Sequence, residues 1–241
     1  AQKAQVSSAM MISWIWGISI GAAVAGIFLS IKYKVPIITA WSAPGTALLV
    51  TLFPHISLNE AVAAYITSAV VIFLVGITGY FDKLLRWIPQ DVAAGMMAGI
   101  LFQFGLGLFT ASDSMPTIVF GMLAVFLVAK RLVPRYAMVW VLVCGVGLSL
   151  FLGKMNPVDV HFSLAIPQFI RPQWSWNSTL NLAIPLILVS LSGQFLPGMA
   201  MMKISGYETP AKPIITATSI ASLAVACVGG ITIVLASITA A

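Results

Sequence analysis

Apolar runs of about twenty residues recur along this whole chain, and no other feature restricts its fold as severely. A helical run of that length crosses about 30 Å of hydrocarbon, where every backbone N–H and C=O must find its partner inside the protein. The runs fall at approximately 6–31, 36–53, 59–80, 90–110, 116–133, 136–153, 178–202 and 211–229, and a ninth opens at 230. Only 7% of the 241 residues are charged, 60% are hydrophobic and the mean hydropathy is +1.05, against about 25% charge in soluble domains. Transmembrane strands alternate in roughly 10-residue units, so the fold class predicted is an all-α polytopic membrane protein. The chain starts without Met on AQKAQVSS and stops at ITAA within an apolar run, so it is expected to be part of a longer protein: a single partial unit, residues 1–241, of eight spans and the start of a ninth.

Connections are short except 154–177, whose RPQWSWNS carries two Trp residues suited to a membrane interface. Ser57-x-x-Glu60 reads as a capping box, and Pro116 suits a first helical turn. Positive charge then orients the spans. If the first runs inward, Lys32, Lys34, Lys83, Arg86, Lys130, Arg131, Arg135, Lys203 and Lys212 all fall on the cytoplasmic side, while Lys3, Lys154 and Arg171 fall opposite. The net charge of +6 therefore reads as topology, and no nucleic-acid partner is expected, since that would need a basic patch on one soluble face. Gly17-x-x-x-Gly21 and Gly95-x-x-x-Gly99 predict close helix packing. Cys144 and Cys227 lie within spans and read as small buried thiols.

One span is interrupted. In PIITAWSAPGTALLVTL, Pro36–Leu52, a Ser-Ala-Pro-Gly break falls mid-run. A straight helix of these residues reaches about 25 Å. An extended stretch over 36–42 followed by a half-helix from Pro44 reaches further, with Ser42 available as a cap. Non-helical backbone at membrane depth is tolerated where it is buried in protein or lines a cavity, and in transporters broken helices form the binding site. A Pro-kinked continuous helix is the alternative. GGITIVLASITAA, Gly229–Ala241, aligns with ITAWSAPGTA so that Thr232 falls on Thr39, Ser237 on Pro44 and Thr239 on Thr46. The two broken segments, 36–53 and 230–241, enter from opposite sides, which predicts an inverted repeat with two elements of short strand plus half-helix.

PIITAWSAPGTALL resembles the TAWS-x-PG-x-ALL signature of the benzoate:proton symporters of the BenE type. SLSGQFLPGMAMMKISGY resembles their ASQN-LPG helix and its Gly-Tyr turn, and IPQDVAAGMMAGILFQFG and ITIVLASITAA resemble further family segments. Phe195 departs from the family's usual Asn, and Val228-Gly229-Gly230 from its more polar approach to the second break. The resemblance implies a uracil-transporter-like fold of two inverted seven-span repeats, of which this chain lacks the first span and breaks off at the tenth. It also implies a multi-pass protein of the bacterial inner membrane that imports an aromatic carboxylate, benzoate, with protons; a homodimer is left open.

Such a substrate needs apolar walls and positive potential, yet no Lys, Arg or His lies mid-span. Two half-helix N-termini of about half a positive charge each supply roughly one unit. The expected substrate-binding residues are therefore Ser42, Gly45, Thr46, Ser237 and Thr239, as backbone amides and hydroxyl donors, with Gly45 allowing close approach of the backbone. Gln194 joins them because it matches the family's Gln; a helix-to-helix contact is its alternative. Trp41 and Phe195 are candidate aromatic walls, with ordinary packing as the other reading. Glu60, Asp82, Asp113, Asp159 and Glu208 fall in loops or at helix ends, and Asp91 in a first turn, so no buried proton carrier is legible. His55 and His161 form no metal pair, and no phosphate-binding loop or acid–base pair is present. No metal, cofactor or enzymatic reaction is expected. The rivals are a nucleobase or other small-anion carrier of the same fold, a channel, which would need a continuous polar stripe, and a scaffold, which would have no reason to break a span.

Overall fold

The computed structural model describes residues 7–52, 56–81, 83, 90–154 and 165–236. The helices are α1 (Ser8–Tyr33), α2 (Ala43–Leu52), α3 (Leu58–Thr78), α4 (Gln90–Ser114), α5 (Pro116–Leu132), α6 (Ala137–Phe151), α7 (Trp176–Ser190), α8 (Leu196–Ile204) and α9 (Ala211–Ala226). Two short strands, β1 (Thr39–Trp41) and β2 (Ile233–Leu235), pair with each other. Four described stretches are long and apolar enough to span a membrane: Ser8–Tyr33, Leu58–Thr78, Pro134–Phe151 and Trp176–Ile204. The protein is a mostly helical, polytopic membrane protein.

The chain divides into two compact units, Ala1–Leu101 with Leu164–Ala241, and Phe102–Ser163. In the second unit α5 and α6 form an antiparallel hairpin through a single 3-10 turn, Pro134–Tyr136. Pro116 occupies the first turn of α5, and Gly121 and Gly145 admit Leu148 and Met122 of the facing helix.

The first unit holds α1, α2, α3, the start of α4, α7, α8, α9 and both strands. Ser57 and Glu60 form the expected capping box at the start of α3: the Ser57 Oγ accepts from the Glu60 N–H, and the Glu60 carboxylate accepts from the Ser57 N–H. Of the two glycine stripes, Gly17 and Gly21 press α1 against Val225, Val228 and Ile233, whereas no described atom lies within 4 Å of where a Cβ would stand on Gly95 or Gly99. Between α7 and α8 the helix widens into one π turn, Leu191–Phe195. Pro197 has no N–H to return to the Gly193 carbonyl, which loosens the ladder at that turn.

The ends of this unit differ in charge. Lys32 and Lys212 share a hollow with Ile77, and Lys203 lines another with Phe81 and Pro210. At the opposite end the 165–175 segment is strapped down. The Gln168 N–H donates to Ser13 Oγ (2.8 Å), the Ile170 N–H to the Cys227 carbonyl (2.8 Å) and the Gln173 N–H to the Asn59 carbonyl (3.0 Å). Arg171, Trp174 and Trp176 stand exposed there. Lys32, Lys203 and Lys212 thus gather at one end and Arg171 at the other, as the charge pattern predicts; Arg86 lies outside the described residues.

Candidate functional site

The Pro36–Leu52 segment is non-helical through Ser42, with a strand at Thr39–Trp41, and helical from Ala43. β1 runs antiparallel to β2, pairing Thr39 with Leu235, Ala40 with Val234 and Trp41 with Ile233. Two further bonds lengthen the ladder: the Ser42 N–H donates to the Thr232 carbonyl (3.0 Å) and the Ala236 N–H to the Ile38 carbonyl (2.9 Å). The chain enters β1 from the lysine-rich end and β2 from the strapped end. The crossing lies level with the middle of α1, because Thr39 Oγ1 donates to the carbonyl of Ala22 (2.7 Å), a residue central in a helix of 26.

Backbone at that depth must be satisfied by protein, and hydroxyls on the flanking helices do much of this. Ser30 Oγ of α1 donates to the Ile37 carbonyl (3.2 Å) and accepts from the Ile37 N–H (3.0 Å). Ser222 Oγ of α9 likewise accepts from the Ile233 N–H (2.8 Å), and its proton is shared between the Thr218 carbonyl (2.8 Å) and the Ile233 carbonyl (3.2 Å). Sequence reasoning missed Ser30, Thr39 and Ser222 as supports of the site. The available signal was the hydroxyl-bearing face of α9, where Thr218, Ser219 and Ser222 are all buried; polar residues in a span turn to the bundle interior.

Ser42 caps the half-helix α2. Its fully buried Oγ accepts from the Gly45 N–H (3.1 Å), and its carbonyl accepts from the Thr46 N–H (2.9 Å) and Thr46 Oγ1 (3.0 Å). The Ser42 O–H therefore still has a proton to donate. Pro44 has no N–H, and the Ala43 N–H has no hydrogen bond among the described residues. The positive end of α2 thus offers Ala43 N–H and Ser42 O–H as donors, while the amides of Gly45 and Thr46 are already engaged. Gly45 is a close-approach position, but what approaches is protein: a Cβ there would meet Leu186 at 2.5 Å and Ser42 Oγ at 2.9 Å.

Gln194 is buried (4% exposed) within the π turn, whose adjoining helix α8 packs against β2: a Cβ on Gly198 would meet Leu235 at 2.8 Å. Phe195 lies in the core with Leu29, Ile37, Ile72, Val234 and Leu235, whereas Trp41 is half exposed at the end of β1. Ser237 and Thr239 lie outside the described residues, as do Asp82, Asp159, His55 and His161. The described acids sit at helix ends or in turns: Glu60 in the capping box, Asp91 in the first turn of α4, Asp113 in the last turn of that helix and Glu208 in the α8–α9 connection.

Apolar helices around two chain segments that meet as strands at mid-depth, one of them turning into a capped half-helix, define a polytopic membrane protein with a transporter-type broken-helix centre. All of residues 1–241 match the family described as BenE, benzoate membrane transport protein, and the chain belongs to that family. It is 76% identical over 240 residues to the benzoate membrane transport protein of Acinetobacter baylyi, and 38% identical over 238 residues to the inner membrane protein YdcO of Escherichia coli. The matches cover 100% and 99% of this chain but 61% of each relative, so the chain spans about three fifths of their length.

Proposed function

We propose that this chain is the substrate-site portion of a secondary transporter that imports benzoate across the bacterial inner membrane with protons. The observation that carries the proposal is the crossing of β1 and β2, which sets the donor end of a capped half-helix at mid-depth in a chain 76% identical to a protein named for benzoate transport. The carboxylate meets Ala43 N–H and Ser42 O–H, within a field worth about half a positive charge. Gln194 completes the polar contacts, Thr46 holds the Ser42 carbonyl with its N–H and hydroxyl, Trp41 walls the ring, and Phe195 packs behind. Ser237 and Thr239, outside the described residues, are proposed as hydroxyl donors from the second broken segment, as an inverted repeat requires. A homodimer is part of the same reading, tested by cross-linking in native membranes. The protein carries out translocation and no covalent chemistry.

Uptake by the full-length protein in proteoliposomes, comparing benzoate, uracil and sulfate with and without a pH gradient, tests this function. Benzoate uptake that a gradient accelerates is expected; transport of uracil or sulfate in its place overturns it. Competition by benzamide isolates the half-helix field, since that molecule keeps a similar ring and lacks the charge. Equal binding of benzamide and benzoate would remove the field from the mechanism. Gly45→Leu is a poor probe of the anion, because the new side chain collides with Leu186 and the Ser42 cap.

A further inference from the structure

We propose that the hollow between α1 and α9 at the lysine-rich end binds an anionic phospholipid of the cytoplasmic leaflet. It has a volume of about 510 Å³ and is lined by Phe28, Lys32 and Tyr33 of α1, Ile77 of α3, and Lys212 and Ile220 among residues of α9. Its chemistry is divided along its length. Both lysines line its lysine-rich mouth, and no carboxylate is among the described residues that line it; Glu208 lines the other hollow, with Lys203. The Lys32 ammonium lies 5.6 Å from the Phe28 ring centre and 5.7 Å from that of Tyr33, which holds the charge over the hollow. The floor beyond is apolar and open, with Phe28, Ile77 and Ile220 each roughly half exposed.

Length selects the occupant. From Pro210, the cap of α9, to Ile220 the lining advances by ten residue steps, about 15 Å at helical rise, which is half of a hydrocarbon core of about 30 Å. A free phosphate would use the lysines and leave this floor bare, whereas a lipid with a phosphate head and acyl chains fills both parts. Basic pockets between spans on the cytoplasmic side are suited to such head groups.

The test is native mass spectrometry of the full-length protein, released from detergent with phosphatidylglycerol or phosphatidylcholine of identical chains. Preferential retention of phosphatidylglycerol is expected. Lys32→Gln or Lys212→Gln should each weaken it about fivefold and the pair about 25-fold, while Lys130→Gln with Arg131→Gln leaves it unchanged. Equal retention of the two lipids, no loss in the double variant, or displacement by inorganic phosphate alone would overturn the proposal. A second measurement addresses cover by the protein itself. Thr216→Cys, in a background without Cys144 and Cys227, should react with a maleimide carried on an acyl chain. If it stays protected while Lys212→Cys reacts with a water-soluble maleimide, protein fills the hollow and the lipid assignment falls.

Discussion

The two strands of the crossing share one ladder and differ in almost everything else. β2 is buried throughout, with Ile233, Val234 and Leu235 no more than 2% exposed, whereas Trp41 at the end of β1 is 51% exposed and Thr39 and Ala40 are half buried. Neighbours explain the contrast. β2 has Gly21 of α1 on one flank, Gly198 of α8 on another, and Ser222 of α9 bonded to its first residue. β1 is anchored chiefly through Thr39 to α1 and leads directly into the capped half-helix. One broken segment therefore presents donors and an aromatic side chain, and the described part of the other is the packed floor that holds it in register.

The sharpest way to break that contrast is to overfill the floor. Gly198→Leu places a side chain where a Cβ alone would meet Leu235 at 2.8 Å, and overpacking of this degree should cost about 3 kcal/mol or more. Gly95→Leu, where no described atom lies within 4 Å of a Cβ, should stay within about 0.5 kcal/mol. Melting of both variants in detergent checks this; a Gly198→Leu protein as stable as the parent would mean β2 is not packed as described.

Next in size, Ser222→Ala strips the buried N–H and carbonyl of Ile233 of their shared hydroxyl, and leaving such groups unmade costs about 1–3 kcal/mol of stability. Gln194→Ala should lose a similar amount in benzoate affinity, roughly five- to 150-fold, measured by calorimetric titration with melting on the same preparation. A Gln194→Ala protein that melts lower yet binds normally would make that side chain a helix-to-helix tie.

Much of the first segment was legible because its signals are local. Ser42, Pro44 and Gly45 lie within one turn of each other, and cap, break and helix start are relations between near neighbours. The charge pattern was legible for a similar reason: it depends only on which loops the lysines occupy. The supports were hidden. Ser222 and Ile233 are eleven residues apart and Thr39 and Ala22 seventeen, while Gly198 meets Leu235 across different elements. The same Gly-x-x-x-Gly spacing gave one tightly packed stripe and one with no described neighbour, since the motif permits close approach and does not supply the partner. The π turn was equally silent, because widening a helix by one residue leaves its composition unchanged.

Ser42→Ala separates structure from chemistry on the β1 side. Loss of an N-cap costs about 1 kcal/mol, less than the loss expected for Ser222→Ala. It should also weaken benzoate several-fold, because the same hydroxyl is the proposed donor to the carboxylate. A drop in stability with unchanged affinity would leave Ala43 N–H as the sole donor from this end.

The smallest expected effect is the most exacting test of the contrast. Thr232 Oγ1 is buried and has no hydrogen-bond partner among the described residues, although its own carbonyl accepts from Ser42. A buried hydroxyl without a partner carries its desolvation cost uncompensated, so its replacement by a methyl of similar shape should be neutral or slightly stabilising, within about 0.5 kcal/mol. Thr39→Val is the matched control, since its hydroxyl does bond, to Ala22, and its loss should cost about 1 kcal/mol. If β2 is only the floor, Thr232→Val binds benzoate as the parent does. A several-fold loss of affinity at unchanged stability would mean that the Thr232 hydroxyl serves the substrate, and the second broken segment would then contribute chemistry as the first does.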